Sequence, residues 1–230
     1  MMAGPIACAN CPVADTAVCA ALAPDDRVEL ARLGHHRQFA RGEVIVAAGD
    51  ENLMFATLTR GAAKLSRIDA DGTERIVALV HPAGVIGQLF APVADLTVTA
   101  LAPCEACLFP RGDVERVLGE RPAFAHRLLR ETMSELAGAR ALIDTISKRQ
   151  AKARVAGLLL DLARAASPAC HDAVDFNLPL TRGEMAQLLG ITIETVSRTL
   201  TAFEGAGLIG RHGASGIMLN DPAALRAMLG

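Results

Sequence analysis

Residues 181–209 read TRGEMAQLLGITIETVSRTLTAFEGAGLI. Thr181 followed three residues later by Glu184 is a capping-box pattern, in which each side chain satisfies a free backbone donor of the other at a helix start. A short helix is predicted from there, stopping at Gly190. Thr192 can cap a second helix that runs to about Glu204, before Gly205 and Gly207 end it. Two short helices joined by a glycine-containing turn form the helix-turn-helix pattern, whose second helix enters the major groove of DNA. The plain alternative is a structural helical hairpin.

The second helix decides between them. Glu194, Ser197 and Arg198 stand at i, i+3 and i+4, so they share one face near the helix N-terminus, where base edges are reached. Arg198 can make a bidentate contact to guanine, Glu194 can accept from cytosine N4, and Ser197 suits either kind of edge. On a surface helix without DNA the same spacing would be an ordinary Glu194–Arg198 pair worth a few tenths of a kcal/mol. Thr181, Arg182 and Thr192, at the starts of the two helices, complete the candidate DNA-binding set.

On the C-terminal side, GLIGRHGASGIML alternates glycine with apolar residues and is expected to form a small hairpin wing. On the N-terminal side, ASPACHDAVDFNLPL reads as a loop with a short strand, preceded by an amphipathic helix over 150–164. Beyond Arg121-Pro122 the apolar residues Leu129, Met133, Leu136, Ile143 and Ile146 recur at steps of three and four, with Ala139 and Arg140 filling the missing position. One long helix is predicted, over 124–150. Its stripe is narrow and heptad-like, which suits a seam with a second parallel helix better than a broad core-facing side. Arg140 either pairs with Asp144 or faces its symmetry mate across that seam.

From Gly42 to about Leu108 the chain falls into short β-branched runs, EVIVAAG, LMFATLTRG, AAKLSRI and RIVALV, separated by Gly, Asp and Pro. DADG at 69–72 is the strongest hairpin signal, since Gly72 supplies the positive φ such turns need. An α+β chain is expected: a cluster of cysteines over 1–20, a compact antiparallel β-roll over 21–123, the dimer helix over 124–150 and a winged helix-turn-helix over 151–230.

With 23 basic against 25 acidic residues the chain carries a net charge of −2, so bulk charge cannot hold nucleic acid. Between 147 and 212 eight basic residues face six acidic ones, and affinity for DNA must come from dimerisation and base contacts. Trp and Tyr are absent, which excludes platforms that stack single-stranded bases on aromatic rings. No stretch is apolar enough to span a membrane and no secretory signal precedes the first domain, so a cytoplasmic protein is expected. No Ser/His/Asp or paired-carboxylate arrangement stands out, and no enzyme is expected.

In a reducing compartment clustered cysteines are more often metal ligands or redox groups than disulfides. CANCPVADTAVC at 8–19 places Cys8, Cys11 and Cys19 in twelve positions, and the chain has only three more cysteines. Cys104 and Cys107, three apart in a predicted strand, would point to opposite faces, so both cannot serve one site. Cys170 reads as a spare thiol. Four thiolates suit an iron–sulfur cube and also zinc.

A β-roll, a long dimer helix and a winged helix-turn-helix, in that order, resemble the CRP/FNR family of bacterial transcription regulators over nearly the whole chain. TIETVSR at 192–198 is similar to the FNR-type recognition helix, which reads TTGAT…ATCAA palindromes in double-stranded DNA; the resemblance implies Glu194, Ser197 and Arg198 as readers. Cyclic-nucleotide binders of the family carry a Gly-Glu turn and an Arg-Ser pair. Here GQLFAPVADLTVTA has Gln88 in place of that Glu and no nearby Arg, so a buried phosphate would lack its charged partner.

The spacing C-x2-C-x7-C of Cys8, Cys11 and Cys19 resembles the variant found in FNR-type proteins of alphaproteobacteria, and Cys107, three residues before Pro110, resembles the family's distant cysteine. The resemblance implies a [4Fe-4S] cluster on Cys8, Cys11, Cys19 and Cys107, lost to oxygen. It further implies a homodimer through Leu129, Met133, Leu136, Arg140, Ile143 and Ile146 that binds DNA when the cluster is present, and contacts to RNA polymerase. Rival readings are a haem-based gas sensor using residues such as His81 or His126, a zinc-clamped N-terminus, and a redox protein built on CANC. The last leaves the helix-turn-helix without a purpose.

Overall fold

A computed structural model describes residues 5–166 and 174–229. The chain divides into two compact units, 1–137 and 138–230, and the boundary falls inside one long helix.

The first unit opens with two short 3-10 turns, Cys8–Asn10 and Val18–Ala21, then helix α1 (Pro24–Leu33). Eight strands follow: β1 (His35–Phe39), β2 (Val44–Val46), β3 (Met54–Arg60), β4 (Ala63–Ile68), β5 (Glu74–Val80), β6 (Val85–Ile86), β7 (Thr97–Ala100) and β8 (Cys104–Pro110). They form two four-stranded antiparallel sheets, in the orders β1-β8-β3-β6 and β2-β7-β4-β5. This is the expected roll. β1 lies ahead of the predicted start because HHRQF has no β-branched residue to signal it. The DADG turn joins β4 to β5, with Gly72 at φ +82° and Asp71 accepting from the Thr73 N–H at 2.9 Å.

The β-sheet faces sort the core in two. Phe39, Leu58, Ala63, Ile86, Val98, Cys104 and Ala106 fill the space between the sheets. On the outer face of β8, Cys107 and Phe109 meet Phe55, Val18, Leu22 and Leu30, closed by Val114 and Val117 of α2 (Arg111–Glu120) and by Phe124. Strand alternation makes this split, since residues three apart on β8 point to opposite sides.

Phe124 belongs to α3 (Pro122–Ser147), which starts two residues before the predicted dimer helix and ends three before its predicted end. Leu129, Met133, Leu136 and Ile143 are exposed on it, at 58%, 55%, 42% and 59%. The intrachain alternative for Arg140 does not hold: Asp144 pairs with Lys148 at 3.2 Å, one turn further on, where a cation also complements the helix C-terminus.

The second unit carries α4 (Ala151–Ala166), β9 (Val174–Asn177), α5 (Arg182–Leu189), α6 (Ile193–Gly205), β10 (Ile209–His212), β11 (Gly216–Leu219) and α7 (Pro222–Ala227). The wing gains a third strand, in the order β10-β11-β9. Val155, Leu159, Met185, Leu189, Val196, Leu200, Phe203, Ile209 and Leu225 are buried and make its core. Cys170 lies outside the described residues.

Candidate functional site

The helix-turn-helix is built as its caps dictate. The Thr181 hydroxyl accepts from the Glu184 N–H at 3.1 Å, and the Glu184 carboxylate accepts from the Thr181 N–H at 2.7 Å. Gly190 closes α5 in the left-handed region at φ +62°, which a side chain would strain. The Thr192 hydroxyl caps α6 by accepting from the Thr195 N–H at 3.2 Å. Arg154 of α4 donates to the carbonyls of Lys148 at 2.7 Å and Leu189 at 3.1 Å, fixing the end of α5.

Packing then divides α6 into two faces. Val196, Thr199, Leu200 and Phe203 are buried, while Glu194 and Arg198 stand in solvent and Ser197 is half-buried. Arg182 donates to the Ser197 hydroxyl at 3.4 Å, so the start of α5 meets the exposed face of α6. The Glu194 carboxyl is held below its ordinary value, first by its own backbone N–H, then by the Thr192 hydroxyl, and only weakly by Arg198. It stays an acceptor at neutral pH. Ile193, 52% exposed at the first turn of α6, was not among the residues singled out by sequence. Its position beside Glu194 is the signal that could have found it. On the wing, Arg211 donates from Nε to Glu204 at 2.9 Å and His212 meets Asp175 at 2.8 Å.

In the first unit, Cys8, Cys11, Cys19 and Cys107 line one cavity of about 230 Å³. Three come from the N-terminal segment and the fourth from β8, where Cys107 pairs with His36 of β1 and Thr57 of β3. Cys104 does not reach it: its thiol donates toward the carbonyls of Ala62 at 3.0 Å and Ala102 at 3.1 Å, inside the roll. Burial, and then the neighbouring Cys11, Cys19 and Cys8, push the Cys107 thiol up to about 12. Burial first, and Cys11 second, also raise Cys8 and Cys19, against a smaller opposite pull from Arg27.

These thiols therefore stay protonated at neutral pH unless a metal group takes them as thiolates. Among the described residues no three Cys, His, Asp or Glu side chains converge into a site for a single metal ion. The four cysteines do line one cavity, and four thiolates are the donor set that a [4Fe-4S] group would take. The donor set fits such a group.

The rest of the lining went unread in the sequence. His36, Thr57, Thr59, Arg60 and Glu105 form a polar wall, with Glu105 3.4 Å from Arg60, 3.6 Å from His36 and 3.2 Å from Gln38. Glu105 sits two residues before Cys107, so strand alternation could have placed it on the same face. The N-terminal segment is also tied to α3. Val18 and Cys19 share their apolar packing with Phe124 and Leu128, and Arg127 donates to the carbonyl of Thr16.

The loop that carries Gln88 is pinned by side chains from elsewhere in the roll. Asn52 donates to the Gln88 carbonyl and, at 3.0 Å, to that of Ala91. Arg111 of α2 does reach this loop, which sequence proximity did not show, but it is engaged by the Ala91 carbonyl and by Glu115 at 3.4 Å.

A β-roll followed by a long helix and a winged helix-turn-helix has the architecture of a DNA-binding transcription regulator. Residues 153–228 match the Crp-like helix-turn-helix domain and residues 36–121 the cyclic nucleotide-binding domain. A "probable transcriptional activator" of Rhizobium leguminosarum is 34% identical over 98% of this chain and 94% of its own length. The transcriptional activator FnrL of Cereibacter sphaeroides is 31% identical, covering 95% and 90%, and the nitrogen fixation regulator FixK of Bradyrhizobium diazoefficiens is 31% identical, covering 96% and 93%. The solved structure of FixK2 from Bradyrhizobium japonicum superposes with a TM-score of 0.76 at 26% identity, over 85% of this chain and 96% of its own. The chain belongs to the CRP/FNR family of transcription regulators; its relatives are DNA-binding regulators and not enzymes. No described helix is long and apolar enough to cross a membrane.

Proposed function

We propose that this chain is an oxygen-responsive transcriptional activator of the FNR type, which binds TTGAT…ATCAA-like palindromes as a homodimer when Cys8, Cys11, Cys19 and Cys107 hold a [4Fe-4S] cluster. The observation that carries this reading is the convergence of those four thiols on one cavity whose apolar surround continues into α3. When bound, the cluster supplies an oxygen-labile cross-link between the N-terminal segment and β8.

The protein's own residues do the rest. With the segment held, Val18 and Cys19 stay packed on Phe124 and Leu128, and Arg127 stays on Thr16, which fixes the first turns of α3. The exposed Leu129, Met133, Leu136 and Ile143 then present a seam to a second copy, with Ile146 beyond them. Without the cross-link the segment is held by its packing and by the hydrogen bonds from Arg127 to Thr16 and from Arg27 to Ala20, and the dimer equilibrium shifts toward monomers. A monomer reaches one half-site through Glu194, Ser197 and Arg198, with Thr181, Arg182 and Thr192 at the helix starts; two copies reach both. Contacts to RNA polymerase are part of the same reading.

Sedimentation and gel-shift titration on a TTGAT…ATCAA duplex, without oxygen and after a pulse of air, test it. A dimer that binds only before air is expected. Equal binding in both states would refute the switch.

A further inference from the structure

Arg27 enters the thiol-lined cavity from the first turn of α1. One of its Nη groups is held by the carbonyl of Ala20 at 3.3 Å, which orients the guanidinium beside the turn that carries Cys19. Its Nε–H is buried and has no acceptor among the described residues. Other cations nearby are neutralised: Arg60 pairs with Glu105 at 3.4 Å, and Arg121 with Asp26 at 3.0 Å. Arg127 also has a buried Nε–H without an acceptor, but it does not line the cavity.

A guanidinium stays charged at any pH a protein survives, and a buried donor without a partner is costly enough that native structures seldom keep one. Something with acceptor atoms and negative charge is expected where Arg27 points. Four thiolates around an iron–sulfur core offer both, and hydrogen bonds and charge next to cluster sulfurs set how tightly a protein holds the cluster and at what potential.

We propose that Arg27 is a positioning residue of the cluster site, donating its Nε–H to a sulfur of the thiolate-held group and offsetting part of its negative charge. The inference rests on the cluster reading above. Arg27→Gln removes the charge and the guanidinium donors; Arg27→Lys keeps the charge and loses the fork.

Wild type and both variants are purified without oxygen and reconstituted with iron and sulfide. Three readouts follow: iron release to an excess of chelator, the midpoint potential of the bound cluster, and the melting temperature of the metal-free form. In Arg27→Gln, iron release is expected to be about tenfold faster. The cation favours the more negative reduced state, so its loss is expected to lower the midpoint potential. Arg27→Lys should fall between, and the metal-free melting temperature should drop only slightly, for the lost hydrogen bond to Ala20. Unchanged release and potential would overturn the proposal, as would a variant whose only defect is a lower metal-free melting temperature. A wild-type protein that takes up no iron and sulfide would instead overturn the cluster reading and this inference with it.

Discussion

Replacing Arg127 with Met isolates the contact that joins the cysteine segment to the long helix. Methionine keeps an apolar stem of similar reach but has no donor for the Thr16 carbonyl. A hydrogen bond from a charged group is worth about 1.5–3 kcal/mol, and the exposed position of this one brings it down to about 1 kcal/mol. Because the segment is held locally, that loss acts on its own opening and not on the whole unit. At about 1.4 kcal/mol per tenfold, the open state becomes roughly fivefold more populated. Amide hydrogen exchange of the metal-free protein reads this directly at Ala17 and Ala20, whose N–H groups donate to Val13 at 2.9 Å and Ala17 at 3.0 Å. Exchange about fivefold faster at these two sites, with β3 and β8 unchanged, is expected. No change at these amides, or an equal change across the sheets, would refute the reasoning that Arg127 latches the segment.

Further outcomes follow from the same geometry. Arg198→Ala should cost about 1–3 kcal/mol per half-site on the palindrome and much less on random duplex, whereas Glu194→Gln should relax preference at one base pair; fluorescence anisotropy on a panel of single-base variants separates the two. Thr181→Ala removes one half of the capping box and should destabilise the second unit by about 0.5–2 kcal/mol, seen as a lower denaturant midpoint. Arg140→Leu, at an exposed seam position with Asp144 already taken by Lys148, should strengthen dimerisation in air; an unchanged sedimentation profile would count against the seam. Burial works to raise the Glu74 carboxyl, but the hydrogen bond from Lys64 at 2.7 Å, with that from Ser66 and the charge of Lys64, outweighs it and holds the group low. Its folded value lies below the unfolded one, so its stabilising effect is present above about pH 4.5 and fades as pH falls through the folded value. Glu74→Gln should flatten the acid limb of stability against pH.

The second unit was legible because its signals are local. Thr181, Glu184, Gly190 and Thr192 fix helix ends within four residues of themselves, and period and caps agree. The roll's hairpin at Asp71-Gly72 was legible for the same reason. β1 was missed because its burial comes from pairing with β8, far along the chain, from His35 with Leu108 to Phe39 with Cys104, and not from β-branched composition. The opposite faces of Cys104 and Cys107 followed from strand alternation. That the N-terminal cysteines and Cys107 line one cavity, with Arg27 beside them, depends on how α1 and α3 pack on β8. No spacing rule encodes such packing. Of the two alternatives for Arg140, the intrachain pair is not formed because two cations compete for Asp144, and Lys148, nearer the helix end, is better placed.

The central claim is that the four thiols hold an oxygen-labile cluster. It is tested most directly by measuring iron, acid-labile sulfide and zinc, with a visible spectrum, on protein purified without oxygen and again after exposure to air. Without Trp or Tyr the protein's own near-ultraviolet absorption is weak, so a cluster band stands clear. About four iron and four sulfide per chain, with a visible band that air abolishes, is the predicted result. One zinc per chain, or no metal, with no colour in either state would contradict it.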